Sequence, residues 1–85
     1  MKIDIYGKEN CVWCTRAKDE CFKFSRLYDY YDVYKDLDTD KYKELFETIA
    51  PYAKTFPIVV VDGNYIGGYT ELKQYLNELY LEERE

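Results

Sequence analysis

The chain of 85 residues contains no histidine, a single tryptophan, a single methionine and only two prolines. Without an imidazole there is no base of the kind a cysteine–histidine hydrolase needs, so that class is excluded. A structural zinc site normally takes four Cys or His ligands, and three cysteines are all the chain offers, so no bound metal is expected. No apolar run approaches the ~20 residues that cross a bilayer, and the first residues lack a charged segment followed by an apolar one. The expectation is a cytoplasmic protein. Basic charge is also in short supply: 12 Lys and Arg stand against 17 Asp and Glu, a formal charge of −5. Binding nucleic acid or an anionic membrane would work against that field, and neither partner is expected. Internal repeats, low-complexity tracts and linkers are absent too. A length of 85 residues with 47% hydrophobic content suits one small domain, residues 1–85, near the lower limit for a core without staples.

What the chain does have is a pair of cysteines in one informative place. Lys8-Glu9-Asn10-Cys11-Val12-Trp13-Cys14 follows an alternating strand-like run, Lys2-Ile3-Asp4-Ile5-Tyr6, and precedes Thr15-Arg16-Ala17-Lys18-Asp19-Glu20, which has no helix breaker. Both thiols therefore stand where a strand passes into the first turn of a helix. First-turn N–H groups have no intrahelical partner and carry the positive end of the helix dipole, which favours thiolate over thiol. Cys11, at the cap, is expected to be the acidic member. Cys14, one turn further in, is near enough to close a small disulfide and more enclosed, the usual division between an attacking and a resolving thiol. An odd cysteine count with one C-x-x-C is a poor disulfide framework, so thiol–disulfide exchange, or an iron–sulfur cluster shared between chains, remains.

The rest of the chain reads as α/β. A strand near residues 2–6 leads to a helix over about 12–28 with an apolar stripe of Cys14, Ala17, Cys21, Phe24 and Tyr28, which makes Cys21 a core residue. Residues 29–34 are aromatic and strand-like. Asp36 to Asp40 supplies caps for a second helix with Tyr42, Leu45, Phe46 and Ile49 on one face, ending near Pro51. The β-branched run in Thr55-Phe56-Pro57-Ile58-Val59-Val60-Val61 argues for a strand buried on both faces. Asp62-Gly63-Asn64 signals a tight turn into a strand at Tyr65-Ile66, and a last helix from about Thr70 buries Leu72, Tyr75, Leu76 and Leu79. Residues 82–85 should form a solvated tail. The order is β-α-β-α-β-β-α, with the first two strands parallel across a right-handed crossover and the last two a hairpin beside them.

Three separated pieces, Cys11-Val12-Trp13-Cys14, Thr55-Phe56-Pro57 and Gly67-Gly68-Tyr69-Thr70-Glu71-Leu72, resemble the glutaredoxins in spacing and element order. The resemblance implies a thioredoxin-like fold, a four-stranded mixed sheet flanked by three helices, and glutathione-dependent reduction of protein disulfides and glutathione mixed disulfides. It implies Cys11 as nucleophile, Cys14 as resolving thiol and a redox-active Cys11–Cys14 disulfide. It further implies a cis Pro57 against the thiols, a Phe56 backbone that holds the cysteinyl part of glutathione, and Thr55 beside them in the same binding site. Lys8 and Lys54, the latter just before Thr55, are placed to meet the glycine carboxylate, and Trp13 to form an aromatic wall. Gly68, Thr70 and Glu71 would hold the γ-glutamyl end: close backbone approach at Gly68, donors from Thr70 to the carboxylate, an acceptor in Glu71 for the ammonium. A monomer that passes electrons to ribonucleotide reductase is the corresponding expectation for partners.

The chain departs from the dithiol members of the family in carrying Val12 where proline is usual and Trp13 where tyrosine is usual. Val12 keeps an N–H that proline lacks, a further candidate donor to the Cys11 thiolate. Cys11-Val12-Trp13-Cys14-Thr15 also resembles glutaredoxin-like redoxins served by thioredoxin reductase, but their Trp-x-Gly-Phe-x-Pro segment is replaced here by Gly67-Gly68-Tyr69-Thr70-Glu71. An iron–sulfur carrier using the first cysteine and glutathione, and a redox-dead interaction module, are the non-enzymatic alternatives.

Overall fold

The computed structural model describes residues 1–84. In chain order, β1 (Ile3–Gly7) is followed by α1 (Val12–Lys23), β2 (Asp29–Asp32), α2 (Thr39–Lys43), a π-helical turn (Glu44–Ile49), β3 (Ile58–Val61), β4 (Asn64–Gly67) and α3 (Tyr69–Glu83). The sheet order is β2-β1-β3-β4. β1 runs parallel to β2 and antiparallel to β3, and β3 pairs antiparallel with β4. This is the thioredoxin-like arrangement expected.

Strand alternation divides the core between the two sheet faces. Ile3 and Ile5 of β1 join Val59 and Val61 of β3 under α1 and α3, where Ala17, Cys21, Leu72 and Leu76 are buried. Ile58 and Val60 face the other way and meet Val33, Leu45 and Ala50. All four residues of β3 are buried, as a strand covered on both faces requires. Asp62 (φ 51°) and Gly63 (φ 83°) both adopt positive φ, the two-residue hairpin conformation that the Asp-Gly pair favours.

Several boundaries differ from the sequence reading. α1 stops at Lys23 instead of running to 28, because Ser25 takes φ 55°. Its N–H donates to the Phe22 carbonyl at 3.0 Å, and the Arg26 N–H donates to the Cys21 carbonyl at 2.8 Å. That paired closure is a Schellman cap built on serine instead of glycine. Phe24 and Tyr28 still pack against the α1/α3 core although neither lies within the helix. β2 ends at Asp32 instead of 34, because the Lys35 and Asp36 N–H groups turn back onto the Asp32 carbonyl.

The second helix is two structures, not one. Asp38 caps α2 by accepting from the Lys41 N–H at 2.8 Å. The chain then widens into the π-helical turn, whose Ala50 N–H donates to the Leu45 carbonyl at 2.8 Å. An i to i+5 repeat puts Leu45 and Ala50 on the same side, and both are buried, whereas Phe46 and Ile49 are half-buried and Tyr42 is exposed. The expected strand over 55–61 begins only at Ile58, with Thr55-Phe56-Pro57 as its approach. α3 continues through Glu83, which pairs with Arg26, so the expected tail at 82–83 is helical; Glu85 lies outside the described residues. Among the described residues no helix is long and apolar enough to cross a membrane.

Candidate active site

Cys11 is the N-cap of α1, with extended backbone at φ −119° and ψ 101°, reached through Asn10 in the left-handed region at φ 56°. Its Sγ accepts from the Cys14 N–H at 3.2 Å. The cap role expected of Cys11 is therefore filled by sulfur, and the observed donor is the Cys14 amide, not that of Val12. Cys11 and Cys14 are joined in a disulfide with Cα atoms 5.2 Å apart. Cys14 is buried and Cys11 half-buried, so the outer sulfur is the one a substrate can reach.

Charged groups of both signs stand around the pair, Lys8, Lys18, Glu9 and Asp32 all lining the cavity that holds Cys11. The first turn of α1 carries no acidic side chain, and Glu9, the nearest carboxylate in sequence, is engaged by Lys35. Arg16 stands over the Trp13 ring, 4.8 Å from its centroid, and Lys18 over the Tyr30 ring at 4.2 Å. Burial pushes the third thiol, Cys21, up to about 11, with Glu20 adding to the effect. Cys21 is the structural cysteine and takes no part in the site.

Two cavities flank the disulfide. One, of about 360 Å³, is lined by Trp13, Thr55, Phe56, Pro57, Tyr65, Gly68, Tyr69, Thr70 and Glu71. The other, of about 590 Å³, holds Cys11 and Val12 together with Lys8, Thr15, Lys18 and Tyr30. The fold thus brings seven of the predicted ligand residues, Trp13, Thr55, Phe56, Pro57, Gly68, Thr70 and Glu71, to one cleft. Lys8 belongs to the neighbouring cavity, although its ammonium lies 5.6 Å from the Phe56 ring centroid and so stands at the junction of the two. Lys54 is exposed and lines neither.

The cleft walls have identifiable causes. The Phe56–Pro57 bond is cis. Gly68 lies against Pro57: a methyl group there would meet the Pro57 carbonyl oxygen at an ordinary contact distance of 3.4 Å. Gly67, at φ 133°, occupies a conformation that side chains disfavour, and a methyl would overlap Glu71. Glu71 has a structural task as well: its Oε1 accepts from the Gly68 N–H at 2.7 Å, the return half of a capping box. Its second oxygen is the one left for a ligand. The first intrahelical bond of α3 is donated by Leu72 to Gly68, which leaves the N–H groups of Tyr69 and Thr70 without a partner in the helix.

Tyr69 and Arg16 were not singled out by the sequence reading. Tyr69 tilts against Trp13 with ring centroids 5.3 Å apart, and its hydroxyl donates to Glu20 Oε1 at 3.3 Å. It tethers the tryptophan, half exposed at 51%, to the N-terminus of α3. The Trp13-x-x-Arg16 spacing on a helix was the available signal for the arginine.

The family model described as Glutaredoxin matches residues 3–66. The chain belongs to the glutaredoxin family. Glutaredoxin 1 of Escherichia coli K12 is 31% identical over 83 residues, covering 92% of this chain and 95% of that protein. The glutaredoxin of Vibrio cholerae is 32% identical over 83 residues, covering 92% and 93%. The solved structure of reduced E. coli glutaredoxin superimposes with a TM-score of 0.75 at 31% identity, covering 92% of this chain and 95% of that one. As a glutaredoxin with an intact C-x-x-C pair, the chain is a thiol–disulfide oxidoreductase.

Proposed function

We propose that glutathione is the reductant of this glutaredoxin and that its substrates are protein disulfides and glutathione mixed disulfides. The observation that supports this reading is the cleft from Trp13 to Glu71, whose volume suits a small peptide and whose polar groups sort by sign. The partnerless N–H groups of Tyr69 and Thr70, with the Thr70 hydroxyl, suit the γ-glutamyl carboxylate, and the second oxygen of Glu71 suits the ammonium. Lys8, at the junction with the cavity of Cys11, suits the glycine carboxylate at the other end. Lys54 has the weaker claim, since it lies outside both cavities. Phe56 and Pro57 take the cysteinyl backbone, and Trp13, braced by Tyr69, covers it.

In the proposed reaction the Cys11 thiolate attacks a disulfide sulfur, forming a mixed disulfide and expelling a thiolate that takes a proton from water. Cys14 then attacks Cys11 Sγ, closing the Cys11–Cys14 disulfide and releasing the second thiol. Two glutathione molecules restore the dithiol, becoming glutathione disulfide. The protein works as a cytoplasmic monomer without a metal, and ribonucleotide reductase is among its acceptors.

Incubating the oxidised protein with glutathione, and separately with NADPH and thioredoxin reductase, while following Trp13 fluorescence tests the choice of reductant. Reduction by glutathione is expected, with Cys11→Ser inactive towards mixed disulfides. Fast reduction by the reductase alone would overturn it. The acceptor is tested by asking whether the reduced protein sustains turnover of ribonucleotide reductase, and failure there removes that role.

A further inference from the structure

Resolution requires the buried thiol of Cys14 to become a thiolate, and with no histidine in the chain nothing beside it is an obvious helper. The contents of the small space beside Gly7 bear on this. A methyl group on Gly7 would overlap the Tyr30 hydroxyl oxygen and lie 2.9 Å from Cys14 Sγ. The last residue of β1 must therefore lack a side chain, because the volume a Cβ would fill is shared by a sulfur from α1 and a hydroxyl from β2. No hydrogen bond joins that hydroxyl to any other described residue, and in the disulfide state Cys14 Sγ is committed to Cys11. Lys18 holds the ring from its face, 4.2 Å from the centroid.

We infer that Tyr30 is a positioning residue for the resolving thiol, its hydroxyl donating a hydrogen bond to the Cys14 thiolate that forms when the disulfide opens. This rests on the reading of Cys11 as attacking and Cys14 as resolving thiol. The Cys14 proton goes to solvent and Tyr30 keeps its own; burial and the carboxylates of Asp32 and Asp36 raise the phenol, which keeps it protonated, a donor and not a proton acceptor. The thiolate, stabilised by that donor, attacks Cys11 Sγ of the mixed disulfide, the Cys11–Cys14 bond forms, and the substrate sulfur departs with the electron pair of the broken bond. The other titratable groups around the site include Lys8 and Glu9 of the β1–α1 loop, Lys18 and Glu20 of α1, Asp32 of β2, Asp36 just after it and Tyr69 of α3. Glu9 is engaged by Lys35 and Glu20 by Tyr69, so both carboxylates already have partners, and the Tyr30 hydroxyl is the neutral group that shares the space beside Gly7 with Cys14 Sγ.

The test is stopped-flow mixing of the reduced protein with the aromatic disulfide dithiobis(nitrobenzoate), followed through the coloured thiolate it releases. Cys11 attack gives the first phase and Cys14 attack on the resulting adduct the second, so Cys14→Ser shows the first alone. Tyr30→Phe, which keeps the ring under Lys18, should leave the first phase unchanged and slow the second by about three- to tenfold near neutral pH. Its pH midpoint should move up by as much as a unit, tenfold in thiolate fraction. At a pH where Cys14 is ionised in both proteins the two rates should converge. A second phase unchanged in Tyr30→Phe overturns the role of Tyr30 alone, and so does slowing by the same factor at every pH, which would mean a packing defect. If the unaltered protein shows no fast first phase, the assignment of Cys11 as nucleophile fails and that of Tyr30 falls with it.

Discussion

At the scale of single residues, the two thiols outside and inside the core should differ sharply in reactivity. With its pKa pushed up to about 11 by burial and Glu20, Cys21 has about one part in ten thousand of thiolate at neutral pH. Brief alkylation of the reduced native protein with iodoacetamide, read by peptide mass spectrometry, should label Cys11 and spare Cys21 until denaturant is added. Asp4 offers a second case. It sits in central β1 with its Oδ1 lacking a hydrogen-bond partner and Lys2 Nζ 3.9 Å away. Burial raises its pKa, Lys2 opposes the shift, and Asp29 adds to it. A carboxyl whose folded-state pKa is raised carries no penalty below its ordinary value, where it is protonated in both states. The penalty appears as pH rises through the raised folded pKa. Asp4→Asn should therefore stabilise the protein at pH 7 by about 1 kcal/mol in urea unfolding, and the gain should vanish below the ordinary Asp value. The alternation Ile3-Asp4-Ile5-Tyr6 marks a strand but not its place in the sheet; only the sheet order, with β1 flanked on both sides, shows how little water reaches Asp4.

At the scale of elements, local chemistry was readable wherever a side chain acts on its own backbone. The Cys11 cap and the Asp62-Gly63 turn fall where the sequence placed them, and the second helix takes its cap, Asp38, from the candidates in Asp36–Asp40, because each depends on residues within three positions. The end of α1 was not readable: nothing in Lys23-Phe24-Ser25-Arg26 marks a stop, and serine is an unusual occupant of the left-handed position. The expected consequence is that Ser25→Gly stabilises the protein by about 0.5–1 kcal/mol, measurable as a raised denaturation midpoint at unchanged m-value. Ser25→Ala should bring no such gain, since alanine pays the same Cβ penalty as serine. The π-helical turn was equally hidden, since the face Tyr42, Leu45, Phe46 and Ile49 fits an α-helix on paper. What widens it is burial of Leu45 together with Ala50, a demand set by the sheet beneath.

At the scale of the molecule, the sheet separates two cores that share no side chain, one under α1 and α3 and one under the π-helical turn. Ile3→Val on the first face and Ile58→Val on the second should each cost about 0.5–1.5 kcal/mol, and the double variant should cost their sum within about 0.5 kcal/mol in urea unfolding. A shortfall from additivity would mean that the two faces are coupled through the strands. The sequence by itself determined the order of elements, the caps, the hairpin and the redox pair, because hydrophobic period, turn chemistry and a thiol at a helix start act over a few residues. Only the tertiary structure decided that Tyr69 braces Trp13, that Lys54 stays outside both cavities, and that Gly7 makes room for the Tyr30 hydroxyl beside Cys14. Those meetings join residues far apart in the chain, and their distances follow from sheet register and helix packing, which no local pattern encodes.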